Sequence, residues 1–283
     1  MVTRLEGVRS AEAALEKAGL AWGIRQEPIY DVDRDKIPTH KAIVRADTGD
    51  RLAVVKNSYE PVDNFTFGFF DVLCNRFGAR YEFAGSVGQG QKVWLQARVG
   101  SFFAEKSDEV RTYITLLNSF DQSTSLRVLL GGVRMFCNNQ LTKCIDSASL
   151  NICIRHSSSI HEKLDQAFTL MDQSLSGFRV FEKKAQFLAR KSVNGAQVQR
   201  FLDIVLPNEN DESSRIRNAR DRTVQLFESG KGNTGRSAWH LFNGFVERLD
   251  TDGGGDQDRL EFSRQFGYRA DRKGRAFQAA LAL

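Results

Sequence analysis

Four cysteines in 283 residues, Cys74, Cys137, Cys144 and Cys153, are too few and too irregularly placed to form a disulfide framework. All four fall on apolar periodic segments, which predicts reduced, buried thiols. No C-x-x-C pair stands among them, so a zinc site from Cys137, Cys144, Cys153 and His156 lacks the paired knuckles it needs, and no metal is expected. Long apolar runs are absent too. Met1 to Leu20 has no continuous hydrophobic core of the kind an export signal carries, and no later run is long enough to span a bilayer, which predicts a soluble, cytoplasmic chain away from membranes. Neither a phosphate-cradling glycine loop nor a dinucleotide fingerprint is present, because Gly88-Gln89-Gly90 and Gly131-Gly132 are plain glycine turns; no cofactor is expected. There is no internal repeat and no low-complexity tract.

What is there suffices for a full hydrophobic core without staples. The formal net charge is +5 and the pI about 9.1, with both signs mixed along the chain. Such a balance permits a polyanionic partner without demanding one, so the distribution of cations matters more than their total.

Ser10 precedes a short helix pattern, Ala11 to Ala18, that Gly19 stops. Residues 41–45 and 51–55 flank Asp47-Thr48-Gly49-Asp50, a hairpin turn by its chemistry. Asn64 is placed to cap a helix carrying Phe65, Phe69, Phe70, Leu73 and Phe77 at core spacing, and Gly78 ends it. A strand meander follows over 81–87, 91–99, 110–117 and 126–130, and Cys137 to Ile145 reads as the start of a closing helix. Beyond Arg155 the periodicity is helical: Leu164, Phe168, Met171 and Leu175 form one stripe, Phe178, Phe181, Ala185 and Leu188 a second, and Val198, Phe201, Leu202 and Val205 a third that ends before Pro207. Residues 216–228, 238–249 and 276–281 are further helices, with Gly230 to Gly235 as a flexible joint. The pattern predicts an α+β protein, an antiparallel β-meander flanked by helices over 1–157 and a mainly helical region over 158–283.

Period-two alternation assigns each strand residue to a face. Val93, Leu95, Ala97 and Val99 lie on one side; Lys92, Trp94, Gln96 and Arg98 lie on the other. The next strands repeat this with Arg111, Tyr113 and Thr115, then with Arg127. If the strands are neighbours, Lys92, Trp94, Arg98, Arg111, Tyr113 and Arg127 share an outer face, with Arg134 just beyond it. Cations for phosphates and rings for bases make a platform for single-stranded nucleic acid. The same pattern also describes the solvated face of a half-buried sheet, where a Trp beside a Tyr is an ordinary cross-strand pair. Arg215, Arg217, Arg220 and Arg222 add further cations on a helix.

Asn118, Asp121, Cys137 and His156 contain the residue types of a thiol nucleophile, its base and an orienter, but their spacing supports no such site, and Asn118 with Asp121 closes a turn. Asp250 to Glu261 resembles a calcium-binding loop, yet Gly254 supplies no ligand at its fifth position and Gln257 replaces the apolar anchor at its eighth. An acidic glycine loop describes it better. The ridge Trp239, Phe242, Phe245 and Val246 is a contact surface for a host protein if exposed, and core otherwise.

Several segments carry a resemblance. Asn118 to Leu141, Tyr59 to Asn64, Ala84-Gly85-Ser86, Lys92-Val93-Trp94, Ile154 to Ser157 and Gly235 to Asn243 together resemble the phage/plasmid-like proteins, a family without an assigned biochemical function. Phe120 stands where that family usually has histidine and Gln122 where it usually has glycine, so a histidine catalyst at this motif is not expected here. A ligand-binding role for Asn118, Asp121 and Ser123, with Asn138 and Asn139 nearby, survives the change. The resemblance implies a mobile-element origin and a prokaryotic host cytoplasm. The order helix, three-stranded meander, helix also looks like the core of phage single-strand annealing recombinases, an analogy of fold alone. The resulting expectation is a non-enzymatic homo-oligomer that binds single-stranded DNA rather than RNA, possessing no catalytic residues; the alternative is a protein that binds a host factor through its helical half.

Overall fold

The computed structural model describes residues 2–135, 139–140, 152–154, 177–207 and 213–283. The expected boundary between 157 and 158, the stripe from Leu164 to Leu175, and Cys137, Asn138, Cys144 and His156 lie outside them. The chain groups into two compact units. The first comprises residues 1–99, 113–129 and 150–173, the second 100–112, 130–149 and 174–283.

In the first unit, Val2–Arg4 (β1) pairs with Arg80–Val87 (β5). Ala11–Lys17 (α1) begins at Ser10, whose hydroxyl accepts from the Ala13 amide, and ends at Gly19 with φ at +67°. Ile24–Tyr30 (β2), Lys36–Arg45 (β3) and Arg51–Lys56 (β4) form a three-stranded antiparallel sheet in sequence order. The β3–β4 turn places Gly49 at φ +76°, which an L side chain resists. Asn64 does not cap a long helix as its type suggested. A 3-10 turn, Asn64–Gly68, precedes Phe69–Arg76 (α2), and the buried Asn64 amide donates to the Leu20 carbonyl at 2.9 Å. Phe70 and Leu73 are core, as their spacing predicts, whereas Phe69 and Phe77 of the same stripe are half-buried and Phe67, outside it, is core.

The larger sheet has the order β1-β5-β6-β7-β8-β10, where β6 is Lys92–Phe103, β7 Glu109–Ser119, β8 Leu126–Arg134 and β10 Ile152–Ile154. A two-residue strand, Asn139–Gln140 (β9), pairs antiparallel with the end of β8, so this part of the expected closing helix is extended instead. Helices and antiparallel sheets make the chain α+β.

The second unit is helical over 177–190 (α3), Gly195–Val205 (α4), Ser214–Ser229 (α5), Ala238–Thr251 (α6), Gln257–Gln265 (α7) and Tyr268–Leu281 (α8). Asn194 and Gln197 close a capping box at the start of α4. Every residue of α6 from Ala238 to Leu249 is buried, which makes it the axis of this core. Phe181 packs on Phe102 and Phe277, Phe242 on Phe277 and Trp239, and Phe245 on Phe201, with ring centroids 5.3–6.0 Å apart. At Gly244 an added Cβ would lie 2.6 Å from the Phe227 backbone nitrogen, so a bare backbone sets the approach of α5 to α6. Asp256 caps α7, and residues 257–261 are helical; the resemblance to a calcium loop therefore ends where a helix begins.

Arg134, expected at a phosphate surface, is fully buried here. Its Nε lies 2.8 Å from both Asp108 oxygens; Nη1 donates to Asn233 Oδ1 at 3.0 Å and Nη2 to the Gly232 carbonyl at 2.7 Å. The Trp239 indole donates to the same Asp108 carboxylate at 2.7 Å. Residues 230–235, expected as a flexible joint, are thereby held to a strand by hydrogen bonds. Replacing Asp108 by alanine strands a buried guanidinium, a change that costs about 3–5 kcal/mol in comparable sites. The urea unfolding midpoint of Asp108→Ala is expected to fall accordingly, while an Arg134→Met, Asp108→Leu pair recovers part of the loss.

Candidate nucleic-acid interface

Alternation assigned the sheet faces correctly but not their exposure. Gln96 Nε2 donates to Thr115 Oγ1 at 3.2 Å, which puts the two expected outer rows on one face. That face is covered. Trp94 is 0% and Tyr113 1% exposed, and neither offers a ring to a base. Tyr113 instead donates its hydroxyl to Glu82 Oε2 at 2.5 Å, and Arg98 Nε lies 3.9 Å from the other Glu82 oxygen. Lys92 is 2.8 Å from Asp121, Arg111 3.4 Å from Glu109, and Arg127 Nε 3.5 Å from Ser125 Oγ. The stacking platform expected from Lys92 to Arg127 is thus corrected: its rings are core and several of its cations meet carboxylates.

The Asn118 to Ser123 motif is built as a brace. Asn118 is fully buried and donates to the Val62 carbonyl at 2.9 Å, while Tyr59 donates its hydroxyl to the Ser119 carbonyl at 2.5 Å. Phe120, where the resemblance implied histidine, meets the Trp22 ring at 5.4 Å, and Arg45 covers that indole at 4.5 Å. Trp22 also fills the space beside Gly90, where a Cβ would sit 2.6 Å from the indole. Asp121 accepts from Ser123 N and Oγ at 3.0 and 2.5 Å. Burial pushes the Asp121 carboxyl up, but the hydrogen bonds from Lys92 and Ser123 outweigh it and hold the group below its ordinary value. The motif thereby fastens the Tyr59 to Asn64 segment to β7; both resemblance segments belong to one packed cluster.

Ser237, His240 and Glu105 in the second unit contain the residue types of a hydrolytic triad. Ser237 Oγ lies 3.0 Å from His240 Nδ1, and His240 Nε2 lies 3.6 Å from Glu105. The serine oxygen also accepts from the His240 amide as the cap of α6, and Ser237 is only 6% exposed. Burial, reinforced by the charge of Arg134, lowers the imidazole below its usual value. The geometry is that of a helix cap. The ridge Trp239, Phe242, Phe245 and Val246 is likewise wholly buried and offers no protein contact surface.

An exposed ring among cations does occur, on α8. Tyr268, Arg272 and Arg275 stand at i, i+4 and i+7, one helix face. Tyr268 is 66% exposed, and the Arg272 guanidinium carbon lies 5.8 Å from its ring centroid. Arg272 also stands 5.5 Å from the Phe245 ring centroid, and Arg248 stands 5.1 Å from the same centroid. Arg272 and its neighbour Arg269 have local tasks as well: Arg272 Nη2 donates to the Val205 carbonyl that ends α4, and Arg269 donates to the Leu249 carbonyl near the end of α6. Burial lowers Arg272, and the neighbouring charges of Arg275, Arg215 and Arg269 lower it further. Arg248 is pushed down to about 10 by burial and then by Arg272. Arg215 and Arg275 are exposed and have no acidic partner among the described residues. Arg215 was legible as a helix cation, but the last helix, expected from Ala276, begins at Tyr268. The i, i+4, i+7 spacing of Tyr268, Arg272 and Arg275 was the available signal.

The chain belongs to the family described as a domain of unknown function, DUF932, whose model matches residues 51–280. No curated protein and no solved structure matches it. Among the described residues, no helix is long and apolar enough to cross a membrane, and no cluster of His, Cys, Asp or Glu is placed to hold a metal ion.

Cys74 is buried, and that burial pushes its thiol up to about 12. Alkylation at this residue, followed by peptide mass mapping at pH 8, is expected to run on the order of 10³-fold slower in the folded chain than in urea. Comparable rates in both states would contradict the packing of α2.

Proposed function

We propose that the chain is a non-enzymatic nucleic-acid-binding protein that holds single-stranded DNA against the α8 face of its second unit. The observation that carries this reading is the exposed Tyr268 ring beside Arg272, with Arg215, Arg269 and Arg275 close enough for their charges to act together. A base stacks on an exposed aromatic ring whatever its identity, and guanidiniums track the phosphates, so the surface suits a strand bound with little sequence readout. A duplex hides its base faces and gains only the phosphate contacts. The resemblance to phage/plasmid-like proteins supports placing this activity in a mobile element within a prokaryotic cytoplasm. Strand annealing by a homo-oligomer is the form the activity would take by that analogy.

The test is fluorescence anisotropy of a labelled single-stranded oligonucleotide, with the matching duplex beside it, at low and moderate salt. Binding is expected to favour the single strand and to weaken as salt rises. Tyr268→Ala removes one stacked base and is expected to weaken the single-strand complex about tenfold with little change in salt slope, whereas Arg215→Glu with Arg275→Glu lowers both affinity and slope. Absence of binding at low salt, or wild-type affinity in both variants, would overturn the reading.

A further inference from the structure

The first unit contains a pocket of about 680 Å³ whose charged lining is Arg4, Arg9, Arg80 and Arg98 with Glu6 and Glu82. Four guanidiniums face two carboxylates there, leaving two positive charges unneutralised. Arg4 Nε lies 3.4 Å from Glu6, and Arg98 Nε 3.9 Å from Glu82, both loose contacts in which the fork geometry of a good guanidinium–carboxylate pair is not formed. Arg9 and Arg80 have no hydrogen-bond or ion-pair partner among the described residues. Tyr113 engages Glu82 Oε2, so this carboxylate is already shared and does not neutralise Arg98 alone.

The strand register adds an independent observation. Arg80 and Arg98 are direct partners across β5 and β6. Like charges facing each other across two strands oppose pairing, and here both line the same cavity. The β5–β6 register also shifts between Tyr81 and Phe83, beside this pair, and such an irregularity re-aims side chains at the edge of a site. The cavity volume is in the range of sites that hold a nucleotide-sized ligand. A carboxylate occupies one guanidinium fork, whereas a phosphate monoester offers three oxygens and about two negative charges, which matches both the number of arginines and the residual charge.

We propose that this pocket binds a phosphate monoester, supplied either by a free nucleotide or by the 5′-terminal phosphate of a strand. The proposal stands apart from the α8 surface and does not depend on it. Two titrations of the full chain by calorimetry separate the sources. One compares AMP with adenosine; the other compares a 5′-phosphorylated oligothymidylate with its 5′-hydroxyl twin. Binding of AMP in preference to adenosine, reduced about tenfold or more by Arg80→Ala and by Arg9→Ala, assigns the pocket to nucleotides. A preference for the 5′-phosphorylated strand, lost in the same two variants and kept in Tyr268→Ala, assigns it to strand ends. Both substitutions are at exposed side chains, so circular dichroism is expected to match wild type. If neither probe shows a phosphate-dependent gain, or if both variants bind as wild type, the proposal is overturned.

Discussion

A guanidinium removed from water has to find every partner inside the protein, and Arg134 sets the terms of the second unit in this way. Asp108 neutralises it, Asn233 and the Gly232 carbonyl take its remaining donors, and Trp239 anchors the carboxylate from another side. Strand β8, the loop before α6 and α6 itself are fastened at one point. A hydrophobic contact tolerates small slips; a saturated fork does not. The aromatic stack around Phe181, Phe242 and Phe277 is therefore packed against elements whose register is already fixed.

Much of this fold was legible in the sequence, and the errors share a cause. Apolar periodicity located α1, α2, the meander and the stripes of α3 and α4, because a period reports which side chains point together. It does not report what lies across from them. Trp94 and Tyr113 were assigned to the right face and the wrong environment, since nothing local to β6 or β7 announces that both of its faces are covered. Arg134 looked like a surface cation because its neutralising partner, Asp108, stands 26 positions away. Asn64 looked like a cap, and its side chain instead satisfies the carbonyl of Leu20. In each case the missing fact was a long-range partner.

The resemblance segments show the same rule from the other direction. Tyr59 to Asn64 and Asn118 to Ser123 are separated by more than fifty positions, yet Tyr59 and Asn118 each reach the opposite segment through a backbone carbonyl. Phe120, which the resemblance expected as histidine, is an apolar ring in an aromatic contact with Trp22. The motif's polar residues serve architecture; among the described residues, Arg215 on α5, Arg275 on α8, and Arg9 and Arg80 around the pocket beside β5 are cations without an acidic partner.

Lys273 lies on α8 between Arg272 and Gly274, wholly buried, with its ammonium 2.5 Å from Asp250 of α6 as an ion pair and a hydrogen bond to the Arg264 carbonyl. Successive side chains on a helix are about 100° apart in azimuth. An inward lysine therefore works as a key in a slot: with position 273 locked toward α6, the helix cannot roll, and positions 268, 272 and 275 are held at a fixed bearing.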